Sequence, residues 1–220
     1  AEVVDPKTGK VKTTVNISAT LVVLAAGPIQ TPIILQQSGL ANSSGQVGKN
    51  FACHPTMSVT AMFDKPIDDF HGATHSVYVD TNILPEEGGF LQLNAVQEPV
   101  EASFQAEPGT GKPYVSYMEK YPNSMRLITL IHDKNVGEVK LVNGAKQIIY
   151  RVDDSDFEHM KQGLKQNARI LFAAGASYLY LPTSNRTLIE NEGQIDRVID
   201  GLNNEASRYR YTSFHPQGTC

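Results

Sequence analysis

The chain has 220 residues, of which 40% are hydrophobic and 19% are charged, which is typical of a globular protein with a substantial core. The formal net charge of -4 and the lack of a Lys/Arg cluster argue against a nucleic-acid-binding surface. No apolar run approaches the roughly 20 residues of a membrane span. The two cysteines fit no disulfide framework or metal-binding pattern, so we predict no metal site.

The first fifty residues predict a β-rich start followed by a helix. Strands are expected in "AEVV", "VKTTVNIS" and "ATLVVLAAG". The continuous apolar run Leu21–Leu24 is typical of a strand that is buried on both faces of a sheet. "GPIQTPIILQQSG" follows directly, and the positions of Pro28 and Gly39 predict a short helix that leaves this strand.

From Val47 to Tyr150 the sequence predicts strands and loops. The candidate strands are Met57–Phe63, Phe90–Val96, Leu127–His132, Val139–Val142 and Ile148–Arg151. "DKNVG" and "VNGA" have the composition of hairpin turns. The stretch Pro99–Pro122 is rich in proline and has little periodicity, which predicts a long loop.

The clearest helix is predicted in "DDSDFEHMKQGLKQNARILFAAGA". Ser155 and Glu158 have the spacing of a capping box, and Gly175 is a suitable C-terminal cap. One apolar stripe comprises Phe157, Met160, Leu164, Ala168 and Leu171. A second helix is predicted at Gln194–Ala206. The mixture predicts an α+β fold in which the first 50 residues differ in character from the rest.

The stretch "VVLAAGPIQTPIILQQSGL" carries more than fold information. A buried strand that ends in small residues and leads into a helix leaves backbone N–H groups at the carboxyl edge of a sheet. Nucleotide-type ligands approach α/β sheets at that edge. The alternative is a strand, turn and helix whose small residues serve packing only, since no G-x-G-x-x-G is present in the chain.

Two histidines precede prolines, in "VGKNFACHP" and "SFHPQGTC". We interpret His54 as structural and Cys53 as a small buried hydrophobe. His215 follows an aromatic residue and precedes Pro216, so its backbone is restricted, and imidazole can exchange a proton near neutral pH. The local sequence leaves His215 open between a hydrogen-bonded structural histidine and a catalytic base.

Taken in order, these three stretches resemble the glucose–methanol–choline (GMC) flavin oxidoreductases. The first is similar to the second signature of that family through Gly27, Pro28, Thr31, Pro32, Ile34, Leu35, Ser38, Gly39 and Leu40, with Ala41 in place of the final glycine. The second resembles the Gly-(Arg/Lys)-Asn…His-Pro segment, and the third resembles the segment that carries the active-site histidine. The long helix resembles one found in bacterial and long-chain-alcohol members, so the resemblance covers essentially the whole chain.

The resemblance implies a domain arrangement. In this family, a Rossmann-type FAD domain is interleaved with a substrate domain that has a mainly antiparallel sheet backed by helices. We therefore expect residues 1–50 to be part of the FAD-binding domain, residues 51–211 to form the substrate-binding domain, and residues 212–220 to return to the FAD domain. The family's G-x-G-x-x-G would lie upstream and its second catalytic residue, His or Asn, beyond Cys220. We expect a fragment that is inactive alone.

The resemblance also implies a chemistry, the FAD-dependent oxidation of an alcohol by a GMC-type dehydrogenase or oxidase. His215 would be the general base that accepts the hydroxyl proton while hydride passes to the flavin. The implied cofactor-binding residues are Ala26, Gly27, Pro216, Gly218 and Thr219, the last three shaping the turn beside the flavin ring.

Several properties stay open at the level of sequence. The alcohol, the electron acceptor and the oligomeric state are not identified, although the segments around His54 and Ser155–Ala176 favour primary or long-chain alcohols. A cofactor-less ligand-binding module derived from this family is one alternative. An unrelated α+β structural or interaction domain is another. We expect a soluble protein, with the cytoplasm favoured over the periplasm.

Overall fold

Short strands and helices alternate irregularly along the chain. The computed structural model describes residues 2–84, 88–95, 98–105, 110–134, 136–185 and 187–220. The strands are β1 (Glu2–Val4), β2 (Val11–Thr14), β3 (Lys49–Phe51), β4 (Thr56–Met62), β5 (Tyr78–Val79), β6 (Ile83–Leu84), β7 (Gly88–Asn94), β8 (Ser124–Ile131), β9 (Gly137–Val142), β10 (Ala145–Ile149), β11 (Tyr178–Tyr180) and β12 (Leu188–Ile189). The helices are α1 (Gly27–Ser38), α2 (Pro99–Gln105), α3 (Lys112–Lys120), α4 (Asp154–Ala173) and α5 (Ile195–Asp200).

The main sheet has the strand order β12-β11-β4-β8-β7-β5, and β6 also pairs with β7. All of its pairings are antiparallel. Because side chains alternate along each strand, one set of residues faces α4 and the other faces away. We call the side covered by α4 the helix face and the opposite side the site face.

The core lies between the helix face and α4. Residues contributed by β4, β7, β8 and α4 include Met57, Val59, Phe90, Ile131, Met160, Leu164 and Ala168. Gly163 lets the helix approach closely, because a Cβ atom there would lie 2.2 Å from the Thr129 Cγ2. A buried amide network crosses the same interface, from Gln92 Nε2 to Asn167 Oδ1 at 2.7 Å and from Asn167 Nδ2 to the Thr129 hydroxyl at 3.0 Å.

A second sheet has the order β10-β9-β3 and packs against α1. The Gln36 side chain joins the helix to β9, donating to the Val139 carbonyl at 2.9 Å and accepting from the Leu141 N–H at 2.8 Å. Ile33 and Phe51 bury their side chains in this smaller core. Helix α1, which lies within the first fifty residues, is therefore fixed to strands from the middle of the chain.

The predicted fold class is confirmed: the chain is α+β, and its main sheet is antiparallel and backed by a helix. The five strands predicted between residues 57 and 151 correspond to β4, β7, β8, β9 and β10, apart from shifts at their ends; Val96, the last residue of one prediction, lies outside the described residues. Gly175 follows α4 with a φ of +96°, as its predicted capping role requires. The domain boundaries at residues 50 and 211 stay predictions.

Two element predictions are wrong. Leu21–Leu24 forms no strand and pairs with no described segment, and the exposed fractions of Leu21, Val22 and Val23 are 78%, 73% and 75%. An apolar run becomes a strand only where a neighbouring strand supplies hydrogen bonds. The stretch Pro99–Pro122 contains α2 and α3 rather than one long loop, while residues 106–109 of it lie outside the described chain. Pro99 and Pro113 stand in the first turns of these helices, where proline is well tolerated.

Three smaller corrections concern turns and caps. "DKNVG" does not close a hairpin, because β8 and β9 belong to different sheets; its Asn135 lies outside the described residues. The N-cap of α4 is Asp153, whose carboxylate accepts from the Asp156 N–H at 2.8 Å, rather than Ser155. The second predicted helix is shorter than expected and spans Ile195–Asp200. Among the described residues, no helix combines the length and apolarity needed to cross a membrane.

Candidate active site

Two segments far apart in sequence pair beside the main sheet. Ala52 and Gln217 exchange two backbone hydrogen bonds, of 3.2 and 2.9 Å, and Thr56 and Thr212 exchange two more, of 2.8 and 3.2 Å. We call residues 48–56 and 212–219 the paired segments. Their pairing fixes both ends of the loop that contains His215.

The turn after His215 is held by close backbone contacts. Gly218 has a φ of +77°, and a Cβ atom there would lie only 2.0 Å from the Asn50 carbonyl oxygen. The Gly48 N–H donates to the Thr219 carbonyl at 2.8 Å. The buried Thr219 hydroxyl donates to the Pro28 carbonyl at 2.6 Å, which connects this turn to the start of α1. Only glycine at position 218 allows this approach.

His215 is exposed and lines a cavity of about 280 Å³ on the site face. The apolar residues of this cavity are Leu91, Leu93, Ile128, Leu130 and Phe214. His75 and Tyr78 also contribute to its wall. The leucines and isoleucine come from β7 and β8, at positions that alternate with those facing α4. An imidazole therefore stands in the wall of a mostly apolar cavity.

His54 lies next to His215 and is held by hydrogen bonds at both ring nitrogens. Its Nδ1 lies 3.0 Å from the Asp133 Oδ1 and 3.1 Å from the Ile131 carbonyl, both of which are acceptors, so Nδ1 carries a proton. Its Nε2 lies 2.8 Å from the Gln217 Nε2 and accepts from that amide. The rings of His54 and His215 are 6.0 Å apart between centroids. These contacts agree with the interpretation of His54 as a structural histidine.

Asp133 organises this region from the interior. Its side chain is completely buried. Its Oδ2 accepts from the Cys53 N–H at 3.0 Å and from the Tyr150 hydroxyl at 2.8 Å, and its Oδ1 accepts from the His54 N–H at 3.1 Å. Burying a carboxylate is costly unless such donors surround it. The loop at Cys53–His54 is thus fixed to the end of β8.

Burial controls the ionisation of two groups beside Asp133. It raises the pKa of the Cys53 thiol. Burial also raises the pKa of Tyr150 above its ordinary value, and the hydrogen bond to Asp133 raises it further. Both groups therefore keep their protons at neutral pH. Cys53 is buried, as the sequence predicts for a small hydrophobe.

A cleft of about 520 Å³ lies on the other side of the His215 loop, at the start of α1. Three of the predicted cofactor-binding residues, Gly27, Pro216 and Gly218, line it. The other two do not. Ala26 stands just outside it as the N-cap of α1, and Thr219 is buried behind the turn and supports it.

The start of α1 fits a large anionic cofactor such as FAD. Gly27 has a φ of +78°, and no atom lies within 4 Å of a Cβ built there, so the backbone is open to a ligand. No side chain of the described residues caps α1, and its first turn contains no acidic residue. The Ala26 N–H is held by the Thr31 hydroxyl at 3.1 Å. A helix N-terminus in this state favours negative charge.

Sequence reasoning missed the groups that hold the loop at Cys53–His54. Asp133 directly follows the apolar run "LITLI" and His132, and a carboxylate at the end of a buried strand is a signal that could have singled it out. Gln217 and Tyr150 gave no such signal, because their roles depend on partners 163 and 17 residues away. The apolar cavity was also missed, since its wall combines β7, β8 and the segment at Phe214.

Comparisons with known proteins agree on one family. A family model described as GMC oxidoreductase matches residues 2–56. An uncharacterised GMC-type oxidoreductase of Mycobacterium tuberculosis is 27% identical over 94% of this chain and 32% of its own length. A long-chain-alcohol oxidase of Arabidopsis thaliana is 28% identical over 96% of this chain and 30% of its own length. The chain spans about a third of the length of these relatives.

A solved structure has a similar fold. It is a variant of the formate oxidase of Aspergillus oryzae RIB40, determined in connection with FAD modification. The similarity has a TM-score of 0.50 and covers 88% of this chain and 43% of that one, at 16% sequence identity. It supports the fold, and the relatives above support the family.

Proposed function

We propose, since the chain belongs to the GMC oxidoreductase family, that it supplies the general base and part of the flavin cleft for the FAD-dependent oxidation of an apolar alcohol. The observation that carries this proposal is the position of the loop Ser213–Thr219. His215 lines an apolar cavity, and Pro216 and Gly218 line the cleft at α1. One short segment therefore borders both a space for a substrate and a space for a cofactor.

His215 is the general base in this proposal. An alcohol can release its carbon-bound hydride only as its hydroxyl proton is taken up, and a neutral imidazole nitrogen within about 2.6–3.2 Å of the hydroxyl can accept that proton. His215 is exposed at the cavity wall, so a hydroxyl can reach its ring. Bound FAD would supply the hydride acceptor.

The cavity wall favours a substrate with an apolar body. Leucine, isoleucine and phenylalanine side chains bind hydrocarbon by removing it from water, which contributes about 25 cal/mol per Å² of buried apolar surface. The cavity of about 280 Å³ is close to the lower end of the roughly 300–1,000 Å³ that is typical of small-molecule sites. His75 and Tyr78 provide the remaining polar groups of the wall.

The residues of the cleft have supporting roles in holding FAD. Gly27 and Gly218 keep the backbone open, Pro216 stiffens the turn, and Thr219 fixes that turn to Pro28 at the start of α1. Ala26 would contribute through its backbone position at the helix N-terminus rather than by direct lining. The unsatisfied N–H groups of the first helical turn would interact with negative charge on the cofactor.

The first test is the exchange His215→Ala in the complete gene product, isolated with its flavin. We expect turnover of medium-chain primary alcohols to fall by about 10²–10⁴-fold, which is the usual contribution of a general base. Flavin content, measured by absorbance, should stay unchanged, because His215 is exposed and does not line the cleft. His71→Ala is the matched control, since His71 is an exposed histidine that contacts Asp68 and not the cavity.

Two other outcomes would contradict different parts of this proposal. Full turnover by His215→Ala would contradict the base assignment while leaving alcohol oxidation intact. A gene product that binds no flavin in titration, yet binds an apolar alcohol, would support the cofactor-less binding module instead.

A further inference from the structure

We propose that Asp133 is a positioning residue for His215 and acts through His54 and Gln217. The inference rests on the proposed function of His215 as a general base. Asp133 does not line the cavity or the cleft, and its side chain is fully buried. Its effect on the reaction must therefore pass through the groups that contact it.

The first step is the backbone at His54. His54 has a φ of +47°, in the left-handed region that is unfavourable for residues with a Cβ atom. Asp133 compensates by accepting from two consecutive N–H groups, those of Cys53 at 3.0 Å and His54 at 3.1 Å. The carboxylate thus selects a backbone conformation that the local sequence would not favour by itself.

The second step is the orientation of the His54 ring. Asp133 Oδ1 and the Ile131 carbonyl both face Nδ1, so the proton is held on Nδ1 and the lone pair is left on Nε2. That lone pair accepts from the Gln217 amide at 2.8 Å. A proton on Nε2 would place two donors against each other and break this contact. Asp133 and the Ile131 carbonyl together therefore favour the tautomer of His54 that Gln217 can bind.

The third step is the loop that carries His215. Gln217 lies two residues after His215, and its backbone pairs with Ala52. On the other side, the Ser213 hydroxyl donates to the Cys53 carbonyl, in the same short loop that Asp133 fixes. Both flanks of His215 are thus joined to residues that Asp133 orders. A displacement of about 1 Å in a catalytic group can cost on the order of 10²-fold in rate.

The test uses Asp133→Asn and Gln217→Met in the complete, flavin-containing gene product. The first exchange would place an NH₂ group against the donors that surround this position, and the second would remove the amide while keeping the length of the side chain. We expect each exchange to lower kcat per bound flavin for a primary alcohol by about tenfold or more, with KM changed by less than about twofold. Asp133→Asn should also leave flavin content unchanged, whereas Gln217 lines the cleft, so Gln217→Met is compared at equal flavin content. The double variant should lose little more than either single one, because both act through His54.

Asn167→Ala is the matched control for a purely structural effect. Asn167 is fully buried and hydrogen-bonded, but it lies at the helix face, away from His215. It should lower the melting temperature as Asp133→Asn does and leave kcat per folded molecule unchanged. If Asp133→Asn behaves like this control, the positioning role is wrong. Should Asp133→Asn fail to fold, Gln217→Met decides, since Gln217 is exposed.

Amide hydrogen exchange separates this inference from the proposed function. Asp133→Asn should speed exchange at the Gln217 backbone amide, which donates to the Ala52 carbonyl at 2.9 Å, and Asn167→Ala should not. This readout needs no substrate. A protein that oxidises no alcohol but shows the faster exchange would contradict the proposed function only. Alcohol oxidation with unchanged exchange and unchanged kcat would contradict the positioning role only.

Discussion

The helix face of the main sheet and the paired segments are held together in different ways. At the helix face, Met160, Leu164 and Ala168 are 0% exposed and pack on apolar strand residues. In the paired segments, backbone hydrogen bonds and one buried carboxylate join the two stretches of chain, only Phe51 and Cys53 belong to an apolar core, and His215 remains exposed. The largest apolar core thus lies on one side of the main sheet, and the exposed His215 lies on the other.

The same difference explains why two histidines with similar sequence contexts are held differently. His54 and His215 both precede a proline, and both belong to the paired segments. His54 is bound at both ring nitrogens, whereas His215 is fixed mainly through its backbone neighbours. His54 therefore belongs to the hydrogen-bond network around Asp133, whereas the exposed ring of His215 is accessible to a ligand.

The largest effect on stability is expected from Leu164→Ala. Leu164 is fully buried between α4 and the helix face, and removing a buried leucine side chain costs about 2–5 kcal/mol of unfolding free energy. Ile170→Ala on the same helix is the control, because Ile170 is 44% exposed and should cost less. Denaturant unfolding measures both. Equal losses of unfolding free energy in the two variants would contradict the conclusion that the buried helix face stabilises the fold.

The helix face was largely predictable from sequence because its signals are local. The 3.6-residue spacing of Phe157, Met160 and Leu164 predicted α4, and short apolar runs predicted β4, β7 and β8. The prediction failed at Leu21–Leu24, where burial depends on a neighbouring strand. It also failed at α2 and α3, where prolines at the first turns resembled loop signals.

The site was only partly predictable because its contacts are long-range. His215 stood out through its proline and glycine neighbours, and Gly27 and Gly218 through the family resemblance. The role of Asp133 depends on contacts with Cys53 and His54, 80 and 79 residues away. No periodic pattern encodes such pairs, so the supporting network becomes visible only in three dimensions.

A second prediction tests the close backbone approach at the paired segments. Gly218 and Gly144 both have a φ of +77°, but only at Gly218 would a Cβ atom meet another group, the Asn50 carbonyl at 2.0 Å. We expect Gly144→Ala to cost about 1–2 kcal/mol of stability through backbone strain alone. Gly218→Ala should cost about 1–3 kcal/mol more, because the paired segments must separate.

Flavin binding sharpens the same test. Gly218→Ala should weaken flavin binding in a titration, since Gly218 lines the cleft, while Gly144→Ala in the β9–β10 turn should not. Equal stability losses for the two variants would show that the paired segments tolerate separation and do not fix the His215 loop.

The smallest effects on stability are expected from removing either of two tyrosine hydroxyls, one that donates a hydrogen bond and one that has no partner among the described residues. The Tyr150 hydroxyl donates to Asp133 at 2.8 Å, whereas the buried Tyr211 hydroxyl has no hydrogen-bond partner within the described residues. At neutral pH, Tyr150→Phe should lower the unfolding free energy by about 1–3 kcal/mol, because a buried acceptor loses its donor. Tyr211→Phe should be neutral or slightly stabilising.

Alkaline pH should increase the stability of Tyr211→Phe relative to that of the natural chain. Burial raises the pKa of both tyrosines in the folded state, so between the ordinary value near 10 and the raised one only the unfolded state loses these protons. The unfolded state then binds fewer protons than the folded state, and stability falls as pH rises. Removing the Tyr211 hydroxyl removes its share of that fall, so the variant should become clearly the more stable protein above about pH 10 in denaturant titrations. Parallel stability curves for the two proteins would mean that Tyr211 ionises freely in the folded state, and that water reaches this edge of the helix-face core.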